Sequence, residues 1–243
     1  MHLTIDDIIC SKFRRINGIF VHPDLKLDSV VYKYMKRQHF ISMMQNNQLY
    51  IANRTSFPDR RERHWKENIK MRYLFTPTSP SQEQIEYYNK LSKKIDEAYK
   101  LCISCWTYDK HEDCDESIMN WRCYGEDRYR IETTVEDLIG CIKPTDIAIV
   151  ISPVSYEKCE YDGTVYNAIF KKYVSYQEEQ ELRMCLLSSN RNEILNIDTS
   201  RLIRKIRLSP FYSPVHNKKE KSQLEEQFKE LSSLIELSHL YES

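Results

Sequence analysis

The chain has 243 residues, of which 41% are hydrophobic and 30% are charged, a composition that is typical of a globular protein and excludes collagen-like, coiled-coil and disordered classes. Its 36 basic residues balance 36 acidic ones, so binding to nucleic acid or anionic lipid would need a local patch. A count of only 4 glycines excludes a glycine-rich phosphate cradle such as a P-loop or a Rossmann turn.

The features that bear on location point to the cytoplasm. The N-terminal segment carries acidic residues before its basic ones and has no long apolar core, which is not the pattern of a secretory signal. No stretch approaches the roughly 18 apolar residues that a membrane span needs. The 8 cysteines lie mostly in apolar runs, where a reduced thiol behaves as a small hydrophobe. We therefore predict a cytoplasmic protein that does not bind a membrane.

Hydrophobic periodicity predicts an N-terminal extension over residues 1–30 and a single α+β domain over residues 31–243. The domain opens with alternating, β-branched and aromatic residues, then a short helical pattern, then a second alternating run. This order predicts a strand, a helix and a strand over 30–35, 38–45 and 48–52.

A second helix is predicted to begin at Ser79 and Pro80, with Ser79 as the N-cap and Gln82 as the reciprocating residue of a capping box. The remaining predicted elements follow in chain order: strands over 101–106, 129–132, 147–152, 193–197 and 203–208, a strand entered near Glu179, helices over 116–124 and 135–142, and a C-terminal amphipathic helix over about 222–240. The run at 193–197 is predicted to be the hairpin partner of the strand entered near Glu179. The fold class is thus α+β, with a mixed, mainly antiparallel sheet flanked by helices; a split sheet is an open alternative.

The strongest candidate site is the strand that carries Glu179, Glu181 and Arg183. Residues two apart in a strand share a face, so two carboxylates and a guanidinium would line one surface. Such a cluster could orient a sugar hydroxyl, stabilise an oxocarbenium-like cation or hold a metal, because neighbouring charges shift carboxylate pKa values. The alternative is an exposed strand face with ordinary ion pairs.

Two further patterns each have a functional and a structural interpretation. Trp121 and Tyr124 lie three apart on a predicted helix, where they could form an aromatic wall for a planar ring or belong to the core. The basic run between Arg60 and Arg72, which contains Trp65, could contact phosphates or be a solvated helix face.

A zinc site at Cys102 and Cys105 is rejected. The two residues fall within a predicted apolar strand, where positions three apart point to opposite faces, whereas a zinc knuckle needs a tight turn between its cysteines. We expect no metal site from the sequence.

An ordered set of short motifs resembles a bacterial family known as domain of unknown function 2971. The set comprises Tyr32-Lys33-Tyr34, Leu49-Tyr50-Ile51, Ser56-Phe57, Ile103-Ser104-Cys105-Trp106, Met119, Trp121, Tyr124 and Gly125, the Glu179, Glu181 and Arg183 strand, and Ile206-Arg207-Leu208-Ser209-Pro210. It covers about Tyr32 to Pro214. The chain departs from the family at Phe57-Pro58-Asp59-Arg60, where the family usually has Phe-Asn-Asp-Pro, and at the charged residues 126–130, where the family has a glycine-containing strand.

The order of elements also resembles, more loosely, that of ADP-ribosyltransferase folds, which hold NAD in a cleft of a split sheet. That resemblance implies NAD as substrate and Glu181 as the catalytic glutamate that holds the nicotinamide ribose, with Glu179 orienting the acceptor and Arg183 beside them. It implies cofactor contacts from Lys33 or Tyr34, from the loop residue Asp59, and by ring stacking from Trp121 or Tyr124. The first-strand Arg or His of those enzymes is absent, unless Lys33 replaces it.

The hypothesis that follows is an NAD-using transferase or NAD-degrading effector, such as a bacterial toxin or an anti-phage defence component. A metal-dependent nuclease using Asp59, Glu179 and Glu181 remains an alternative, as does a non-catalytic sensor or partner-binding module. The expected partners are a nucleotide or NAD, with a nucleic acid or protein acceptor and a partner protein from the same operon as open possibilities.

Overall fold

The computed structural model describes residues 3–57, 80–108, 116–124, 128–157 and 164–241, without the side chains of Tyr124, Arg128 and Tyr241. The strands are β1 (Arg14–Ile16), β2 (Ile19–Val21), β3 (Val30–Lys36), β4 (Gln48–Asn53), β5 (Cys102–Tyr108), β6 (Arg128–Thr134), β7 (Ile149–Pro153), β8 (Ser155–Glu157), β9 (Lys171–Tyr173), β10 (Glu181–Leu186), β11 (Asn192–Asn196), β12 (Lys205–Leu208) and β13 (Ile235–Glu236). The α-helices are α1 (Arg37–Asn46), α2 (Gln82–Ala98), α3 (Ile118–Tyr124), α4 (Val135–Gly140), α5 (Val165–Phe170), α6 (Thr199–Leu202) and α7 (Pro214–Gln227). The predicted α+β class, with a mixed and mainly antiparallel sheet, is confirmed.

Local sequence explains the boundaries of the helices. Asn47 ends α1 in the left-handed conformation (φ 51°), which asparagine tolerates better than most residues. Helix α2 begins after Ser81, whose hydroxyl accepts from the backbone N–H of Gln84 while the Gln84 side chain accepts from the backbone N–H of Ser81. The capping box predicted for Ser79 and Gln82 is therefore present but lies two residues further along the chain.

The chain divides into two compact units, each drawn from three segments. The first unit comprises residues 1–25, 50–105 and 145–194. Its strands follow the order β1-β2-β7-β10-β5, with β4 also paired to β5. Within this order β2 and β7 are parallel, whereas β1 and β2, and β10 and β7, are antiparallel. A separate parallel pair joins β8 and β9.

The core of the first unit is formed by helices α2 and α5 with strands β5, β7 and β10. Its buried side chains include Leu91, Ile95, Ile103, Ile169, Phe170 and Cys185. Full burial of a large apolar side chain stabilises the fold by roughly 1.5–3 kcal/mol relative to exposure. Cys185 lies on β10, the strand that carries Glu181, and Phe170 directly precedes β9, the strand that carries Lys172, so the core helps to position both strands.

The second unit comprises residues 26–49, 106–144 and 195–243. The C-terminal end of β5 pairs with β3, and the order continues through β6 and β12 to β13. Strand β12 is antiparallel to β6 and parallel to β13. Phe40 of α1 makes edge-to-face contacts with Tyr129 of β6 and with Phe228, which follows α7.

The pairing of one predicted strand and the bounds of one predicted helix are wrong. The run at 193–197 forms β11, but β11 pairs with β4 and not with the strand that carries Glu181. The C-terminal helix begins at Pro214, where Ser213 caps it, and ends at Gln227. A 3-10 helix (Lys229–Leu234) and strand β13 follow, so Leu231 and Ile235 are buried without belonging to that helix.

No helix within the described ranges combines the length and the apolar character needed to cross a membrane.

Candidate functional site

The strand predicted to carry Glu179, Glu181 and Arg183 begins two residues later than expected. Glu179 ends a 3-10 helix (Val174–Glu179), and Gln180 takes a left-handed conformation (φ 41°) before β10 begins at Glu181. Glu179 therefore does not share the strand face of Glu181 by alternation, which corrects the prediction. The turn at Gln180 instead brings Glu179 back towards the same lysine that contacts Glu181.

Glu181 and Arg183 form a buried ion pair on one face of β10. The Arg183 Nε lies 2.8 Å from Glu181 Oε1, and Arg183 Nη2 lies 3.1 Å from Glu181 Oε2. The two side chains are 2% and 1% exposed, and Arg183 also donates to the backbone carbonyl of Ile169. This two-pronged geometry fixes the plane of the carboxylate as well as its position.

Lys172 of β9 is a third member of this group that the sequence did not identify. Its ammonium nitrogen lies 2.8 Å from Glu181 Oε2 and 2.6 Å from Glu179 Oε2, and it stands 5.3 Å from the centre of the Tyr176 ring. The Lys172 side chain is 8% exposed, whereas that of Glu179 is 27% exposed. We call Lys172, Glu179, Glu181 and Arg183 the ionic cluster.

Two uncharged groups complete the surroundings of Glu181. The backbone N–H of Glu181 donates to the hydroxyl oxygen of Tyr156, at 2.7 Å, and the thiol of Cys105 hydrogen-bonds to the Glu181 carboxylate. Burial, with the nearby negative charge of Glu181, raises the pKa of the Cys105 thiol. Burial also raises the pKa of Tyr156. Both groups are therefore neutral near pH 7, so the charge of the site comes from the ionic cluster.

The ionic cluster can present a fixed carboxylate to a ligand. Arg183 and Lys172 stabilise Glu181 as an anion, and the buried surroundings strengthen every electrostatic contact that it makes. Glu179 offers a second, more accessible carboxylate on the other side of Lys172. The two carboxylates share one cation but differ in exposure. One can therefore act as an electrostatic stabiliser and the other as a proton acceptor.

Tyr34 and Trp121, proposed as cofactor contacts, lie together in the second unit. Their rings meet edge to face, with centroids 4.9 Å apart, and Tyr34 is close enough to Arg130 to hydrogen-bond with it. Burial raises the pKa of Tyr34 to about 12. The Trp121 indole N–H donates to the buried carboxylate of Glu116, at 3.1 Å. This hydrogen bond within the protein favours the interpretation of Trp121 as a core residue.

Glu116 organises the charged part of this second group. Its Oε2 accepts from the backbone N–H of His239, at 2.7 Å, and lies 3.3 Å from Nη1 of Arg207. Arg207 and Arg130 are register partners on β12 and β6, and both are buried. We call Tyr34, Glu116, Trp121, Arg130 and Arg207 the aromatic–arginine cluster.

Of the other residues predicted to contact a cofactor, the structure describes the side chain of only some. The Lys33 ammonium of β3 lies over the Trp106 ring, 5.3 Å from its centre. Lys33 therefore makes a cation–π contact within the second unit. Tyr124 is the last residue of α3, and its side chain lies outside the described part of the chain. Asp59 and the basic run from Arg60 to Arg72 also lie outside the described residues.

Among the residues that the structure describes, no group of three or more His, Cys, Asp or Glu side chains is placed to hold a metal ion. Cys102 contacts the carbonyl of Asn190, while Cys105 contacts Glu181. The two cysteines therefore have different neighbours, as expected for positions three apart in a strand.

Comparison of the chain with protein-family models, with curated proteins and with solved structures finds no match. The resemblances noted from the sequence therefore stay predictions, and the functional argument rests on the ionic cluster.

Proposed function

We propose that the protein is an NAD-using enzyme, either an ADP-ribosyltransferase or an NAD-degrading effector, in which Glu181 contacts the nicotinamide ribose. The observation that supports this proposal is the buried carboxylate of Glu181, held in one plane by Arg183 and bridged through Lys172 to the more exposed Glu179. A fixed anion of this kind stabilises positive charge that develops on a ribose ring, because it needs no reorganisation when the charge appears.

The proposed chemistry breaks the bond between the nicotinamide nitrogen and the ribose carbon. The electron pair of that bond leaves with nicotinamide, which becomes neutral, and the ribose becomes an oxocarbenium-like cation next to Glu181. A hydroxyl or amine of an acceptor, or water, then forms the new bond to the ribose carbon. Glu179 accepts the proton that this nucleophile loses, which suits the more exposed of the two carboxylates.

A second candidate function is a non-catalytic sensor or partner-binding module. The low exposure of Glu181 and Arg183 favours this second function. A buried carboxylate that is surrounded by cations can also be part of a purely structural ion pair. The two candidates make opposite predictions for a variant that keeps the fold but changes the charge of Glu181.

The test is incubation of the purified protein with NAD labelled on the adenylate, with and without a cell lysate, followed by measurement of label transfer and of nicotinamide release. We expect wild type to release nicotinamide or to transfer label, and Glu181→Gln to do neither. Absence of turnover by wild type in both conditions would favour the binding module.

The matched control is Glu178→Gln, which makes the same chemical change at an exposed neighbour. We expect this variant to keep the wild-type rate. The far-ultraviolet circular dichroism of both variants is recorded at the assay temperature, so that loss of activity by unfolding is recognised.

A further inference from the structure

The carboxylate of Glu181 has its hydrogen-bonding capacity filled by the protein itself. A carboxylate offers about four acceptor positions. Arg183 takes one on each oxygen, Lys172 takes a second on Oε2, and the Cys105 thiol supplies a further donor. A ribose hydroxyl can therefore bind to Glu181 only if one of these donors leaves.

The two charged donors, Arg183 and Lys172, differ in how readily they can leave. Arg183 makes two contacts with Glu181 and a third with the carbonyl of Ile169, so its departure would break all three and leave buried charges without partners. Lys172 contacts Oε2 of Glu181 and also holds a second carboxylate, that of Glu179. Lysine is also a point charge on a flexible stem, which can turn to a new anion without a fixed orientation.

We propose that Lys172 is a positioning residue that exchanges partners when the ligand binds. It leaves Glu181 for a phosphate oxygen of the ligand, and the acceptor position that it vacates on Oε2 takes a ribose hydroxyl. Glu179 keeps Lys172 at the more exposed side of the ionic cluster during this exchange. The preferred ligand is therefore one that carries a ribose hydroxyl and a phosphate together. This inference rests on the proposed function, because it concerns the same carboxylate.

The exchange explains why a cation lies on the proposed catalytic carboxylate. Without a ligand, Lys172 pairs with Glu179 and Glu181, and with the ligand it pairs with Glu179 and a phosphate. A ligand that offers a ribose hydroxyl but no phosphate must displace Lys172 and gives it no new partner. Such a ligand is disfavoured by the intact site.

The test compares the dissociation constants of NAD and of nicotinamide riboside, measured by calorimetry, for wild type and for Lys172→Met. Both ligands carry the same nicotinamide ribose, and only NAD carries phosphate. We expect Lys172→Met to bind NAD about tenfold more weakly, because a charge-assisted contact is lost. We expect the same variant to bind nicotinamide riboside more tightly than wild type, because the acceptor position on Glu181 is already vacant.

The matched control is Lys171→Met. Lys171 precedes Lys172 in β9 and is also buried, but its ammonium pairs with Glu157. Lys171→Met therefore removes one positive charge from the same strand but keeps the lysine that contacts Glu181. We expect the ratio of the dissociation constants of NAD and nicotinamide riboside to stay at the wild-type value. Lys172→Gln is measured beside Lys172→Met, and the same reversal is expected if only the glutamine variant folds.

The outcomes separate this inference from the proposed function. If wild type binds neither ligand, the proposed function fails and the exchange fails with it. If wild type binds NAD but Lys172→Met weakens both ligands equally, the exchange is wrong while the proposed function stands. If Cys105→Ala, and not Lys172→Met, strengthens binding of nicotinamide riboside, the thiol and not Lys172 is the donor that leaves.

Discussion

The ionic cluster and the aromatic–arginine cluster each hold a buried carboxylate beside a buried cation, but they differ in the other groups that hold that carboxylate. In the aromatic–arginine cluster, Glu116 accepts from a buried indole and a backbone N–H and lies beside the buried guanidinium of Arg207. In the ionic cluster, Lys172 links the buried Glu181 to Glu179, which is 27% exposed. Lys172 is a point charge on a flexible stem and can turn to another anion, whereas Glu116 is also held by an indole N–H and a backbone N–H that belong to fixed parts of the fold. We therefore propose a structural role for the aromatic–arginine cluster and ligand binding for the ionic cluster.

The largest expected effect on stability is that of Arg207→Met. The variant removes the guanidinium of Arg207 from the carboxylate of Glu116 in a buried pair, since both side chains are 2% exposed. Removal of one partner of a buried pair typically costs about 3–5 kcal/mol. We expect a loss of this size in the free energy of unfolding, measured by urea denaturation.

The control for this variant is Glu236→Gln. Glu236 pairs with the same arginine but is 40% exposed, and exposed pairs contribute about 0–1 kcal/mol. If both variants lower the free energy of unfolding equally, the pair between Arg207 and Glu116 does not contribute to stability.

A smaller effect is expected for Trp121→Phe. Phenylalanine keeps an aromatic ring beside Tyr34 but lacks the indole N–H that donates to Glu116. Glu116 still accepts from the backbone N–H of His239, so we expect a loss of about 1 kcal/mol in the free energy of unfolding. If the ring instead stacks on a ligand, the same variant will weaken NAD binding with little change in stability, and calorimetry of NAD binding distinguishes the two results.

Glu179→Gln is expected to lower the free energy of unfolding by less than about 1 kcal/mol, because Lys172 keeps Glu181 as a partner. Its effect should fall on transfer to the acceptor, because Glu179 is proposed to take the proton of the nucleophile. We expect label transfer to fall by roughly 10²–10⁴-fold, with a smaller loss of nicotinamide release. Equal loss of both reactions would instead indicate that Glu179 acts only through Lys172.

The smallest expected effect is a pH dependence of stability from His22. Burial against Phe13 and Tyr166 holds the pKa of His22 below its ordinary value of 6.5. The unfolded chain then binds the proton more readily, so the stability from neutral His22 is complete above about pH 6.5 and decreases as the pH falls below that value. We expect His22→Gln to reduce this slope in urea denaturation between pH 7 and pH 5, and an unchanged slope would show that His22 is not its source.

Elements whose signals are local were predicted closely. Strand β3, helix α1 and strand β4 lie within two residues of their predicted bounds, because alternation and the stop at Asn46-Asn47 are contained in the sequence around them. The start of α7 was missed although Ser213-Pro214 is a recognisable N-cap followed by proline. Leu231 and Ile235 misled the prediction, because buried positions in a 3-10 helix and a short strand reproduced helical spacing.

Features that depend on long-range strand pairing could not be predicted from the sequence. Nothing around β11 indicates that it pairs with β4, since pairing depends on which edge is available in the folded sheet. Glu181 and Arg183 were predicted together because two-residue spacing in a strand is local information. Lys172 was missed because Lys171 and Lys172 are indistinguishable in the sequence, and only the fold pairs one with Glu157 and the other with Glu181.

The most direct test of the central claim is the rate of nicotinamide release from NAD by Glu181→Gln, compared with wild type and Glu178→Gln under conditions in which all three are folded. If Glu181 stabilises the developing ribose cation, wild type and Glu178→Gln will release nicotinamide at similar rates, and Glu181→Gln will be slower by at least about 10²-fold. A folded Glu181→Gln that releases nicotinamide at the wild-type rate would contradict the account and leave the ionic cluster a structural one.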